Sequence, residues 1–306
     1  MTAARKSAVV FGYHNVGVRC LKVLLAGGVD IKLVVTHEDN PDENVWFESV
    51  VSLCQAEGIP YVTPADAKGA ALLERVRAAA PDFIFSFYYR HMLPAALLAV
   101  APAFNMHGSL LPQFRGRAPV NWAVLHGATE TGATLHEMTV KPDAGAIVAQ
   151  TAVPILPVDT AFEVFGKVQV AAEQTLWTVL PALLAGTAPR RPNDLTQGGY
   201  FGGRKPEDGR IDWSLPAQAV YNLHRAVAPP YPGAFTEIGG AVYVIERARL
   251  ATGAAAAKAA SLPPGLSVVD NCIFGVCGDG RSLAIAALSR DGENVAPEQL
   301  SAALGA

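Results

Sequence analysis

A succession of short apolar runs at the start of the chain constrains its fold most. Ala8–Phe11, Ile31–Val35, Ile59–Val62, Phe83–Phe87 and Phe104–His107 each have strand length. Between the first two lies Val18–Ala26, which reads as a helix closed by Gly27-Gly28, after a loop holding Gly12, Asn15 and Gly17. Asn44–Glu57 and Ala70–Ala79 supply two more helices, the second closed by Pro81. Strand, helix, strand in this spacing is a βαβ unit, because parallel strands need a long crossover. The pattern predicts an α/β fold with a Rossmann-like, mostly parallel sheet. The first loop reads Gly12-Tyr-His-Asn-Val-Gly17 rather than G-x-G-x-x-G, so the dinucleotide fingerprint is missing.

Asn121–His126 begins a further helix, and Ala133–Met138 and Ile147–Val153 read as strands. Phe162–Leu184 is a long amphipathic helix, stopped by Gly186 and Pro189. A polar stretch rich in breakers follows and reads as a linker over 190–203. The character then changes. After a helix at Ala217–Val227, short runs recur at Ala234–Ile238, Ala241–Ile245, Leu266–Val269, Cys272–Val276 and Leu283–Ala287, as in a small β-barrel. Ala251–Ala260 is low in complexity and reads as a mobile loop. The expected organisation is a catalytic domain over 1–189 and a second domain over 204–306.

A net charge of −3 argues against a polyanion-binding surface spread over the molecule. Cys20, Cys54, Cys272 and Cys277 form no C-x-x-C pair, and sparse cysteine fits a reducing cytosol. The run after Met1-Thr-Ala-Ala is too short for a signal peptide, and no window approaches a membrane span. The expectation is a cytoplasmic protein without membrane insertion.

The chemistry concentrates in Phe104–Pro119. Asn105 and His107 are two apart, so on extended backbone both side chains face one side. A carboxamide can donate to a developing oxyanion, and an imidazole can move a proton near neutral pH. Gly108, Pro112, Gly116 and Pro119 then force an irregular loop, the kind of segment that carries sites. Asp143, in Lys141-Pro-Asp-Ala-Gly, is a candidate orienter of His107, with a turn role beside Pro142 and Gly145 as the alternative. Arg115 can hold an anion or brace the loop. His14 and His37 follow the first two strands, where open α/β sheets bind ligands, and read evenly as ligand contacts or loop histidines. Ser109 has no activating partner and reads as a loop hydrogen-bonder. A metal site would call for a third ligand beside His107 and Asp143.

Asn105-x-His107 followed by Gly-Ser-Leu-Leu-Pro-x-x-Arg-Gly, and then Asp143-Ala-Gly, resembles the signature of folate-dependent formyltransferases. Further matching stretches are Phe11-Gly-Tyr-His, Thr36-His-Glu-Asp-Asn-Pro, Phe85-Ser-Phe-Tyr-Tyr-Arg-His, Lys141-Pro-Asp-Ala-Gly-Ala-Ile-Val-Ala-Gln and His224-Arg-Ala-Val-Ala-Pro-Pro-Tyr-Pro-Gly-Ala-Phe. The likeness runs through both halves of the chain. It implies the formyltransferase fold with an OB-like C-terminal barrel, N10-formyltetrahydrofolate as co-substrate, no metal, and Asn105, His107 and Asp143 as catalytic residues. It further implies folate contacts from His91, Met92 and Leu93, from Arg117, and from Thr139, Val140, Lys141 and Pro142.

The resemblance is strongest to formyltransferase domains acting on UDP-4-amino-4-deoxy-L-arabinose, which implies a role in lipid A modification and polymyxin resistance. In many bacteria that domain precedes an NAD-dependent UDP-glucuronic acid decarboxylase, for which this chain has no room; it reads as a truncated form or as a separately encoded activity, with oligomeric state open. Other nucleotide-linked amino sugars are the first alternative acceptors. Methionyl-tRNA is disfavoured: Gly198–Ala306 holds 9 Lys+Arg against 10 Asp+Glu, whereas phosphate contacts call for a basic surface. A regulatory folate-binding module without catalysis is disfavoured because all three signature residues are present. Arg204, Arg210 and Arg225 are candidates for the nucleotide diphosphate or for bracing.

Overall fold

The computed structural model describes residues 5–39 and 45–305. The N-terminal residues 1–4 and the segment 40–44, which includes the expected helix start at Asn44 and part of the Thr36 motif, lie outside them. The chain forms two compact units. The first is drawn from Met1–Pro119, Glu130–Pro154 and Gly166–Gly202, the second from Val120–Thr129, Ile155–Phe165 and Gly203–Ala306.

In the first unit, β1 (Ser7–Gly12) is buried along its whole length and leads into α1 (His14–Ala26). The expected loop from Gly12 to Gly17 is thus a single residue, Tyr13. Gly17 acts by packing: a Cβ there would lie 3.1 Å from the Gly12 carbonyl carbon and 3.2 Å from Val50 Cγ2, so its absence lets α1 sit close on the sheet. Next come β2 (Asp30–Val35), α2 (Val50–Glu57), β3 (Tyr61–Val62), α3 (Ala70–Ala78), β4 (Phe83–Phe87), α4 (Ala95–Leu98) and β5 (Ala103–His107). α2 starts at Val50 because Ser49 caps it, accepting the Ser52 N–H. After β6 (Arg115–Gly116), and after α5 (Pro119–Leu125), which from Val120 on is part of the second unit, the strands β7 (Glu130–Glu137) and β8 (Ile147–Pro154) complete the sheet, followed by α6 (Ala161–Leu184), which is part of the first unit from Gly166 on, and β9 (Tyr200–Phe201).

The sheet order is β3-β2-β1-β4-β5-β7-β8. Pairings from β3 through β5 are parallel, and β7 and β8 run antiparallel. The strand order reverses between β1 and β4, so the carboxyl ends of β1, β4 and β5 open on a crevice suited to a ligand. Phe85, Phe87 and Phe104 are fully buried around β4 and β5, which anchors the strand that carries Asn105 and His107.

The second unit holds α7 (Ala217–Val227), β10 (Ala234–Ile238), β11 (Ala241–Leu250), α8 (Ala254–Ala259), β12 (Gly265–Val269), β13 (Cys272–Val276), β14 (Ser282–Arg290), β15 (Glu293–Asn294) and α9 (Pro297–Leu304). The antiparallel order β10-β11-β14-β13-β12, with β15 on β14, makes a curled half-barrel. Ala251–Ala260 is a correction: most of it is α8, not a mobile loop. Alanine is the strongest helix former, and Ala259 packs fully buried against Phe274 and Val276. Arg225 donates to the Asp159 carbonyl and Asn222 Oδ1, and Asn121 donates to the Ala226 carbonyl, which ties segments 120–129 and 155–165 to α7. No helix among the described residues is long and apolar enough to cross a membrane.

His224, buried on α7, accepts the Ala248 N–H at Nε2. Burial is the main cause that holds its pKa down at about 4, as it does for His14 and His37. These rings fold neutral, so the unfolded chain takes up protons first. Their stabilisation is complete above pH 6.5 and is lost as pH falls toward 4. The urea midpoint should therefore drop across that window. His224→Gln, which keeps an acceptor but does not titrate, should flatten the drop; an unchanged pH dependence would show that His224 does not contribute to it.

Candidate active site

Asn105 and His107 project from β5 on one face, and the β5–β7 pairing sets His136 opposite Asn105 and Thr134 opposite His107. Asp143 comes from the β7–β8 loop. His107 Nδ1 and His136 Nε2 each lie 3.6 Å from Asp143 Oδ1. The other carboxylate oxygen, Oδ2, accepts the Gly116 N–H at 2.8 Å. Three positions expected to act together are thus brought together.

Hydrogen bonds select the tautomers. His107 Nε2 is 2.9 Å from the Phe114 carbonyl, which can only accept, so Nε2 carries the proton and Nδ1 is the basic nitrogen. His136 Nδ1 is 2.8 Å from the Glu137 carbonyl, so its Nε2 is free to accept the Asn105 amide N–H at 3.1 Å. That leaves the second N–H of the Asn105 carboxamide available. Burial raises the Asp143 pKa, but His107, His136 and the Gly116 N–H outweigh it and hold the group at about 2. Burial lowers the His107 pKa, against the opposing pull of Asp143 and the Phe114 carbonyl. At neutral pH the site therefore pairs an ionised carboxylate with a neutral imidazole whose basic nitrogen faces it.

The loop after β5 is held rigidly. Ser109 Oγ donates to the Gln113 carbonyl, Thr134 Oγ1 donates to the Ser109 carbonyl and accepts the Leu111 N–H, and Gln150 donates to the Leu111 carbonyl. Tyr88, Phe114, Ala118 and Asp143 all have φ between +51 and +60, a conformation that costs non-glycine residues energy and clusters at functional sites. Arg115 is buried and donates to the Leu195 carbonyl, so it braces the loop.

A cavity of about 420 Å³ opens on Asn105, His107, His136 and Asp143. That is the size of a small-molecule site. His91, Met92, Leu93, Arg117, Thr139 and Pro142 are among the residues that line it. Val140 and Lys141 are not part of the lining; Val140 is 71% exposed, and the Lys141 carbonyl accepts from Thr139 Oγ1. His14 and His37 are also outside it. His14 stacks on Phe47, while His37 stacks on Tyr89 and accepts the Arg90 N–H, supporting the chain where it leaves β4. In the second unit Arg204 lies over Trp122 and donates to the Asp208 carbonyl, and Arg210 pairs with Glu237. With Arg225 donating to the Asp159 carbonyl, each of the three has a bracing contact.

His136 is the residue that sequence reasoning missed. Nothing in Ala133–Met138 distinguishes its ring from a core histidine. The signal is the antiparallel register that puts it opposite Asn105. Among the described residues, no group of three or more His, Cys, Asp and Glu is placed to hold a metal ion.

The fold and this site define a formyl-transferring enzyme. The formyl transferase family matches residues 6–180, and the formyl transferase C-terminal domain matches residues 204–301. The chain belongs to the formyl transferase family. The N-formyltransferase of Helicobacter canadensis, solved with folinic acid and dTDP-3-aminofucose, is similar with a TM-score of 0.70 at 17% identity, over 92% of this chain and 99% of its own. WlaRD, a sugar 3N-formyl transferase solved with dTDP and 5-N-formyl-THF, is similar with a TM-score of 0.72 at 17% identity, over 95% and 100%. HypX of Aquifex aeolicus in complex with tetrahydrofolic acid gives 0.64 at 16% identity over 97% of this chain, which spans 47% of HypX. At these identities the likeness is one of fold.

One packing detail at the site is directly testable. A Cβ on Gly108 would collide with the Tyr88 hydroxyl, and the next nearest atom, Tyr88 Cζ, would lie at 3.1 Å. Gly108→Ala should cost about 1–3 kcal/mol, as overpacking does. Adding Tyr88→Phe should recover much of that loss. Denaturant unfolding of the two single variants and the double variant checks this; additive losses would show that the two residues do not meet.

Proposed function

We propose that this enzyme transfers a formyl group from N10-formyltetrahydrofolate to the amine of a nucleotide-linked sugar, with the 4-amine of UDP-4-amino-4-deoxy-L-arabinose as acceptor. The observation that carries the reading is the neutral His107, its Nδ1 facing ionised Asp143, beside Asn105 at the floor of a cavity of about 420 Å³. Structures of similar fold were solved with folates and with dTDP or a dTDP-amino sugar, which supports the co-substrate and the class of acceptor. The exposed Met92, with Leu93, gives the cavity an apolar wall suited to a flat pteridine ring.

The residues divide the work as follows. Asn105 directs its remaining N–H at the formyl oxygen, where negative charge develops as the amine attacks the carbon. His107 Nδ1 takes the proton that the amine loses and returns a proton to N10 as the C–N10 bond breaks. The new C–N bond and the proton on N10 balance the transfer, and no covalent enzyme intermediate is needed. Asp143 stabilises the imidazolium formed in between, since its carboxylate lies next to the nitrogen that gains the proton. Ser109 is engaged with the Gln113 carbonyl and takes no part.

The choice of arabinose over other amino sugars rests on the resemblance carried by Tyr13-His14, Phe87–Arg90 and Pro230–Phe235, and on it rests the link to lipid A modification. Tetrahydrofolate release is the decisive measurement. Purified enzyme with N10-formyltetrahydrofolate should turn over with UDP-4-amino-4-deoxy-L-arabinose and not with methionyl-tRNA. Preference for another nucleotide amino sugar would keep the chemistry and replace the acceptor. His107→Ala and Asn105→Ala should each lower kcat by roughly 10² or more. Near-normal kcat in either variant would remove that residue from the mechanism.

A further inference from the structure

We infer that Asn193, in the stretch that reads from sequence as a linker, is a positioning residue for Asp143, and that the segment around it fixes the carboxylate in place. The inference rests on the proposed action of Asp143 on His107.

Asn193 Nδ2 donates to the Asp143 carbonyl at 2.9 Å and to the Gly145 carbonyl at 3.2 Å. One amide group therefore clamps the backbone on both sides of the turn that presents the carboxylate. Only the nitrogen can serve, because both partners are acceptors. Two residues earlier, Arg191 and Ile147 exchange reciprocal N–H···O bonds at 2.8 Å, which fixes the loop where β8 begins. On its other side Gly145 packs so closely on the Glu137 carbonyl that no Cβ fits. The turn is thus caught between β7 and the 191–193 segment.

The same segment controls the carboxylate's partner. Farther along it, the Gly199 and Phe201 carbonyls accept the Arg115 and Arg117 N–H groups, each at 3.0 Å. Between them Gly116 takes φ +100 with its Cα against Phe201, and its N–H points to Asp143 Oδ2. Residues 191–201 therefore hold the Asp143 backbone at one point and the donor to its side chain at another. Asp143 has φ +51, so its backbone needs such outside support to stay in place. Asn193 does not line the cavity, so it acts through Asp143.

Asn193→Ala and Asn193→Asp test this in the full chain, with Asp143→Asn as reference. The readouts are kcat, KM for the folate, the Gly116 amide resonance, and the titration of the His107 ring by NMR. Asn193→Ala should lower kcat by roughly 10-fold, in line with the cost of misplacing a catalytic group, with a smaller change in KM. Asn193→Asp should be worse, because it loses the same donor and also sets a carboxylate against two carbonyl oxygens. In both, the Gly116 amide should shift and the His107 midpoint should fall toward its value in Asp143→Asn. If Asn193→Asp does not fold, Asn193→Ala alone decides. An unmoved Gly116 amide together with an unmoved His107 midpoint would overturn the inference. A shifted Gly116 amide with full kcat in Asp143→Asn would instead leave the positioning intact and remove Asp143 from catalysis.

Discussion

The buried contact between the Asp143 carboxylate and His107 Nδ1 sets the terms for the surrounding structure. A carboxylate in this position is costly unless it is paired and hydrogen-bonded. The chain answers with the Gly116 N–H on Oδ2, and sets beside Oδ1 two histidine rings that pair with it once they take up a proton. Each of these is in turn fixed by backbone: Gly116 by Phe201, His107 by the Phe114 carbonyl, His136 by the Glu137 carbonyl. Because those partners are carbonyl acceptors, the protons on both rings have defined positions. The basic nitrogen of His107 is then the one beside the negative charge, while His136 is left free to hold the Asn105 amide.

This arrangement explains why so much of the local backbone is irregular. A regular strand presents Asn105 and His107, but no regular element could also bring the 114 carbonyl, the 116 N–H and the 143 carboxylate to the same ring. The left-handed residues Phe114, Ala118 and Asp143 do that, with Gly116 at φ +100 among them. Rigid elements beneath them, namely β4, β5 and β7 with their phenylalanine core, absorb the cost. The second unit is built differently. Its Arg204, Arg210 and Arg225 are committed to carbonyls, aromatic faces and a carboxylate of its own, and α8 is held by its alanine face.

The fold was legible in the sequence where apolar runs were short and bounded, as at Phe83–Phe87, Ala217–Val227 and Cys272–Val276. It was misread where one residue type has two uses. Glycine at 17 looked like a breaker and is a close-packing residue inside α1. The alanine-rich 251–260 looked structureless and holds a helix. In the site, Asn105 and His107 could be paired by the two-residue period of a strand. Asp143 was placed near them only by the family pattern, since its approach depends on a loop. His136 and Asn193 carry no local signal at all: each matters because of what a distant segment puts beside it.

The segments that meet around the carboxylate are far apart along the chain: Gly116, Asp143, Asn193 and Phe201. Synthesis proceeds from the amino terminus, so β5 and its two side chains are available long before residues 193–201 emerge. Until then the carboxylate lacks both its backbone clamp and the brace behind Gly116. The geometry of the site is therefore a late product of folding, and an incomplete chain ending before Asn193 would carry the Asn, His and Asp residues without their alignment.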